Sequence, residues 1–156
     1  MGYNTEFDGQ FDFNKPLDDD TYNLLEGLAT TRRMKRKVDE DKYGKEGEFY
    51  IEGKGFMGQD HEDNILDYNN PPRDQPGLWL QWVPTDDRLH LEWDEGEKFY
   101  DYVEWLEYLV KKIFKPRGYV LNGKVRYRGE DFDDVGTIVV RNNKVSVRGW
   151  SSRDAI

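Results

Sequence analysis

The chain has 156 residues, with 23 basic side chains, 32 acidic ones, a formal charge of −9 and no cysteine. That length supports one ordinary core, and the absence of cysteine excludes disulfides, thiolate catalysis and Cys-ligated zinc. Hydrophobic residues make up only 36% of the chain but aromatic residues 15%, so Trp, Tyr and Phe must supply much of the core, and disorder throughout is disfavoured.

Residues 1–13 lack the basic start and apolar run of a signal peptide. No stretch approaches the roughly 20 apolar residues of a membrane span. The expectation is a soluble protein of the cytoplasm without a membrane partner.

Phe7, Phe11 and Phe13 share parity around Gly9, the pattern of a strand or bent hairpin with one buried face. Pro16 breaks that pattern. Asp18, Asp19 and Asp20 then offer an N-cap and first-turn carboxylates to a helix carrying Tyr22, Leu25 and Leu28, which should fade between Thr30 and Arg33. From Lys35 to Gly58 charge and glycine dominate, which predicts a mobile loop with one short strand at Phe49 to Ile51. Residues 59–77 are rich in Asn and Pro and read as a long loop; loops of that length in compact domains are commonly functional or disordered, and the aromatic neighbours favour order.

Leu78, Leu80, Trp82 and Pro84 alternate with Trp79, Gln81 and Val83. With the turn Thr85-Asp86-Asp87 and the second run Leu89, Leu91, Trp93, they predict an antiparallel hairpin. Asp94 followed by Glu97 resembles a capping box. Phe99, Val103, Leu106, Val110 and Ile113 recur at helical spacing, so a helix is predicted from this point, ending before Pro116 and Gly118. Asn122-Gly123 and Asn142-Asn143 each read as two-residue hairpin turns between short strands. The whole predicts an α+β fold: two helices packed on one face of a mostly antiparallel sheet, as a single domain over residues 1–148 with a flexible tail at 149–156.

Several constellations bear on function. Residues 32–37 hold five positive charges, which suits either a helix terminus with a solvated face or an anion site using Arg32 and Arg33. Residues 111–128 hold seven basic side chains and no acid, but the net charge of −9 opposes long-range attraction to nucleic acid. Residues 86–104 carry a local charge of −6, read mostly as helix start and solvated face, with mimicry of a polyanion as the minority reading.

Asp60-His61-Glu62-Asp63 matches neither a zinc helix nor a calcium loop, so no metal is assigned. If the chain is an enzyme, His61 with Asp60 or Glu62 is the acid–base candidate, although no nucleophile is identified for it. Trp79 and Gln81, following Asn69, Asn70, Arg73 and Gln75, set flat apolar surfaces beside amides and a guanidinium, the mixture of a small-molecule site. There is no Walker loop, dinucleotide fingerprint or nucleophile elbow, and no cofactor is assigned.

The runs Gly55-Phe56-Met57-Gly58-Gln59-Asp60-His61-Glu62, Gln75-Pro76-Gly77-Leu78-Trp79-Leu80-Gln81-Trp82-Val83-Pro84 and Glu92-Trp93-Asp94-Glu95-Gly96-Glu97-Lys98-Phe99-Tyr100, with Thr31-Arg32-Arg33-Met34 and Gly118-Tyr119-Val120-Leu121-Asn122-Gly123, give the chain a resemblance. Over about residues 2 to 148 it resembles an uncharacterised family of small proteins carried by tailed bacteriophages and some bacteria. The resemblance implies a phage accessory product acting in the bacterial cytoplasm, where modifying or evading the host is a common task. The leading expectation is a non-enzymatic binding protein whose pocket, built from the 56–82 loop and hairpin and the Arg32–Arg33 corner, holds a small anionic, nucleotide-derived ligand; the alternatives are a small hydrolase or transferase using His61 with Asp60 or Glu62, and an acidic-faced inhibitor of a host protein.

Overall fold

The structure is a computed structural model and describes residues 2–51 and 62–149. A six-stranded antiparallel sheet runs in the order β4-β5-β1-β6-β7-β8, built from β1 (Glu6–Phe13), β4 (Trp82–Pro84), β5 (His90–Trp93), β6 (Leu121–Arg128), β7 (Val135–Arg141) and β8 (Lys144–Gly149). A second, two-stranded sheet pairs β2 (Lys35–Arg36) with β3 (Ile65–Asp67). The helices among the described residues are α1 (Asp19–Thr30), the four-residue α2 (Glu40–Tyr43) and α3 (Tyr102–Leu109), the last continued by a π-helical turn at Val110–Phe114 and a 3₁₀ turn at Lys115–Arg117. The α+β architecture is the one expected. No described helix is long and apolar enough to cross a membrane.

The core is the aromatic one that the composition demands. Leu25 and Leu28 of α1 and Trp105, Leu106 and Leu109 of α3 bury against Phe11, Leu91, Leu121, Val125, Ile138 and Val140 of the sheet. Phe7 meets Trp82, Trp93 and Tyr102 edge-on at centroid distances of 5.2, 5.3 and 4.9 Å, a geometry that adds about 1 kcal/mol per ring pair beyond area burial. Asp18 caps α1 as expected, accepting from Thr21 N at 2.7 Å. The bond lowers its carboxyl below the ordinary value. Asn142 and Asn143, at φ +50° and +68°, make the expected two-residue turn between β7 and β8.

Three expectations are corrected. Asn122-Gly123 does not turn: β6 runs straight through it, with Gly123 opposite both Phe11 of β1 and Val140 of β7. Gly123 has φ +139°, and a Cβ there would lie 2.9 Å from Gln10 O and Phe11 Cα, so glycine is needed for close strand approach rather than for a turn.

Nor does the helix begin at Asp94. Trp93 Nε1 donates to Gly96 O (3.2 Å) and Gln81 Nε2 to Glu97 O (2.8 Å), which captures carbonyls that a first turn needs, and α3 starts eight residues later. It ends before Pro116 as expected, at Leu109 with the π-helical turn running to Phe114, and Pro116 falls in the 3₁₀ turn that follows. Finally, Phe49 to Ile51 is not a strand; residues 35–47 hold β2, α2 and a 3₁₀ turn where a mobile loop was expected. Of the expected tail at 149–156, Gly149 ends β8 and residues 150–156 lie outside the described residues.

Candidate functional site

The residues read together as one site divide into four places. Arg33 is buried at the end of α1, and every arm of its guanidinium is used: Nη1 donates to Tyr50 O (2.7 Å), Nη2 to Glu48 O (3.0 Å) and Gly47 O (3.2 Å), and Nε to Gln75 Oε1 (3.2 Å). Gln75 is buried beside it, donating to Glu48 O and to Tyr108 Oη. Burial lowers the Arg33 pKa to about 9, which still leaves the group charged at neutral pH, and the Tyr108 hydroxyl and Glu48 carboxylate favour that charge. Arg33 is therefore a clamp holding the 47–50 segment to the core, buried and with four of its five N–H donors spent on protein oxygens.

Arg32 stacks over Tyr68 at 4.0 Å and donates from Nε to Tyr68 O. Asn69 and Asn70 sit on the same turn, tied to Asp67 by Asn69 N (3.0 Å) and Asn70 Nδ2 (2.8 Å). These three residues organise the turn after β3. Arg73 is exposed and borders a separate cleft lined also by Gln75, Lys111, Lys112, Glu104 and Glu107, where Lys112 pairs with Asp74 at 3.2 Å. Asp60 and His61 lie outside the described residues, and Glu62 accepts from Arg36 Nη1 (3.2 Å) and Tyr50 Oη (3.1 Å).

Trp79 and Gln81 do share a cavity, of about 590 Å³. Its walls are Ala29 at the end of α1, the segment Gly77, Leu78, Trp79, Leu80 and Gln81 leading into β4, and Asp94, Gly96, Glu97, Lys98, Tyr100 and Asp101 from the β5–α3 connection. None of Arg32, Arg33, Asn69, Asn70, Arg73 or Gln75 lines it. Gln81 contributes its surface while its amide is spent on the wall, Nε2 binding Glu97 O and Oε1 lying 3.4 Å from Trp93 Nε1.

The β5–α3 connection is over-determined and strained. Glu95, Lys98 and Asp101 all hold positive φ, at +67°, +59° and +56°, conformations that cost about 1 kcal/mol each for residues other than glycine. They persist because Asp94 Oδ1 accepts from Gly96 N (2.8 Å), Asp94 N donates to Gln81 O (3.0 Å), and Lys98 N donates to Asn4 Oδ1 (3.0 Å). Strain concentrated in one cavity wall fits a surface shaped for binding.

Electrostatically the cavity opposes the expected ligand. Three acidic residues, Asp94, Glu97 and Asp101, and one basic residue, Lys98, line it. Desolvation against the wall raises the Asp94 carboxyl above its ordinary value of 3.8, offset in part by the Gly96 and Asp94 backbone N–H groups. The sequence missed Asp94, Tyr100 and Asp101 as cavity residues, reading the two acids as helix start and solvated face. Their grouping depends on left-handed backbone that non-glycine residues do not advertise.

The chain matches no protein-family model, no curated protein and no solved structure.

Proposed function

We propose that the chain is a non-enzymatic binding protein whose ligand enters the Trp79 cavity, and that this ligand couples an apolar or aromatic body to a positive charge. The carrying observation is the pairing of Leu78, Trp79, Leu80 and Tyr100 with Asp94, Glu97 and Asp101 around one space. Aromatic faces and carboxylates together recognise organic cations, through stacking, cation–π attraction and charge. The overall charge of −9 adds long-range attraction for the same sign of ligand. An anionic, nucleotide-derived ligand would meet the wrong charge here, and the arginines that motivated it are engaged elsewhere. The resemblance to phage accessory proteins supports action inside a bacterial host cell.

Calorimetric titration of small aromatic amines beside a nucleotide panel tests this reading. Amine binding weakened about tenfold in Trp79→Ala is the expected outcome; nucleotide binding with amines silent would restore the anionic reading.

A second reading, inhibition of a host protein, is favoured by one observation. Phe132 is fully exposed in the β6–β7 loop, flanked by Glu130, Asp131, Asp133 and Asp134. The loop is held by Tyr3, whose hydroxyl donates to Asp134 Oδ2 (2.6 Å) and accepts from Asp131 N (3.0 Å). A preorganised apolar anchor amid carboxylates suits a partner pocket with a basic rim. A host protein that co-purifies with the wild type but equally well with Phe132→Ser would remove this reading.

A further inference from the structure

The large sheet has two faces, and the core uses one of them. Phe11, Val125, Ile138 and Val140 turn toward the helices, and their strand neighbours alternate to the other side. In that outward register Arg126 of β6 lies opposite Thr137 of β7, which lies opposite Arg148 of β8. Lys124 and Arg128 stand two residues to either side of Arg126, and Arg141 opposes Lys144. All six basic side chains of β6, β7 and β8 therefore share one face, and these three strands contain no Asp or Glu. Arg126 is half-buried and the other five are exposed.

Side chains on alternate residues of a strand lie about 6.8 Å apart and neighbouring strands about 4.8 Å, so the six cations occupy a patch about 10 Å wide and about 20 Å long. The net charge of −9 opposes a polyanion at long range. Within one Debye length, about 8 Å at physiological ionic strength, the charges of the patch itself decide the field.

The neighbouring strands point to what covers it. β1 and β5 present Glu6, Asp8, Asp12 and Glu92 on the same side. A second copy of the chain could bring those acids to the patch, but Asp8 already accepts from Arg126 Nη2 (2.8 Å) and Asp12 pairs with His90 Nδ1 (2.7 Å). That leaves at most Glu6 and Glu92 on this face, too few for six cations, and favours an external polyanion. No aromatic side chain stands on the outward side of β6, β7 or β8 among the described residues, so a single strand would find no stacking platform. A sheet face also offers no helix or ribbon to enter a groove and read base edges.

We propose that the outward face of β6, β7 and β8 docks the phosphate backbone of duplex DNA without reading its sequence. A length of about 20 Å spans about six base pairs, which sets several phosphates against the row Lys124, Arg126, Arg128 and the cations of β7 and β8. None of the six basic residues lines the Trp79 cavity, so this surface stands apart from the amine reading.

Fluorescence anisotropy with a dye-labelled DNA duplex of about 20 base pairs tests it: micromolar binding is expected at about 50 mM salt, weakening about 100-fold by about 200 mM as roughly four phosphate contacts are screened. A duplex of unrelated sequence should bind equally, and the isolated strand more weakly. Lys124→Glu combined with Lys144→Glu, at two exposed positions, should weaken the duplex about tenfold or more and lower the salt slope by about two. Lys37→Glu combined with Lys45→Glu makes the same change of charge at exposed positions outside the large sheet and should stay within about twofold of the wild type. Thermal melts check that both variants fold.

Absence of duplex binding at the lower salt, equal loss in the two double variants, or a single strand bound as tightly as the duplex overturns the assignment. So does a dimer, silent to DNA, that the Lys124 and Lys144 changes dissociate, which gives the face to a second copy. The salt and strand comparisons use the wild-type protein, so a folding defect in a variant cannot rescue the idea, and every outcome leaves the amine reading of the Trp79 cavity where it stood.

Discussion

The Arg33 clamp and the Trp79 cavity are opposites in how their polar groups are used. Around Arg33 each guanidinium nitrogen meets a carbonyl or amide oxygen, and Gln75 and Tyr108 complete the network. Beside the cavity, the buried Trp105 indole N–H meets nothing among the described residues and three carboxylates share a space with one lysine. A saturated polar network spends its interactions on folding. The carboxylates lining the cavity are what the proposed reading uses to hold a ligand.

That contrast can be broken most strongly at the clamp. Arg33→Leu removes the four bonds to Tyr50 O, Glu48 O, Gly47 O and Gln75 Oε1 and takes a buried charge from beside the Glu48 carboxylate, with an expected loss of about 4 kcal/mol in denaturant unfolding. Gln75→Leu removes one acceptor and the bonds to Glu48 O and Tyr108, so its expected cost is about 2 kcal/mol by the same measurement. Should either variant stay stable and lose amine binding, the division between the two regions is wrong.

At the cavity the order reverses, with affinity changing more than stability. Trp79→Ala should weaken aromatic amines about tenfold in calorimetry while the circular dichroism spectrum is retained. Trp105→Phe deletes a donor that has no described partner, so unfolding should change by no more than about 1 kcal/mol, a small response for a fully buried tryptophan.

The smallest effect concerns pH. The Asp94 carboxyl titrates above its ordinary value of 3.8, so its contribution to stability is fully present below that value and is lost as pH rises through the raised pKa. Amine binding has the opposite sign, strengthening as the same group ionises. Asp94→Asn should flatten both trends between acid and neutral pH, followed by thermal melts and titrations in parallel.

Much of the scaffold was legible because its signals are local. The parity of Phe7, Phe11 and Phe13, the cap at Asp18 and the Asn142-Asn143 turn all depend on neighbours within a few residues. Asn122-Gly123 misled because its glycine answers to β1 and β7 across the sheet, not to its own chain neighbours. Asp94 misled likewise: Gln81 and Trp93 claim the carbonyls that would have started a helix. Of the candidate site, Trp79 and Gln81 were found by their composition, whereas Arg33 and Gln75 were drawn in by proximity in sequence and proved to be buried structure.

The sequence by itself determined the α+β class, the aromatic core, the α1 cap and the excess of acid over base, since periodicity, turn chemistry and charge need no knowledge of distant partners. Tertiary structure alone decided the sign of the cavity. Which of 23 cations and 32 anions reach that space depends on the crossing of the α1 terminus, the 77–81 segment and a left-handed β5–α3 connection. Charge acts at short range between groups brought together by folding, and a count along the chain cannot tell an arginine locked onto carbonyls from a carboxylate left facing an open cavity.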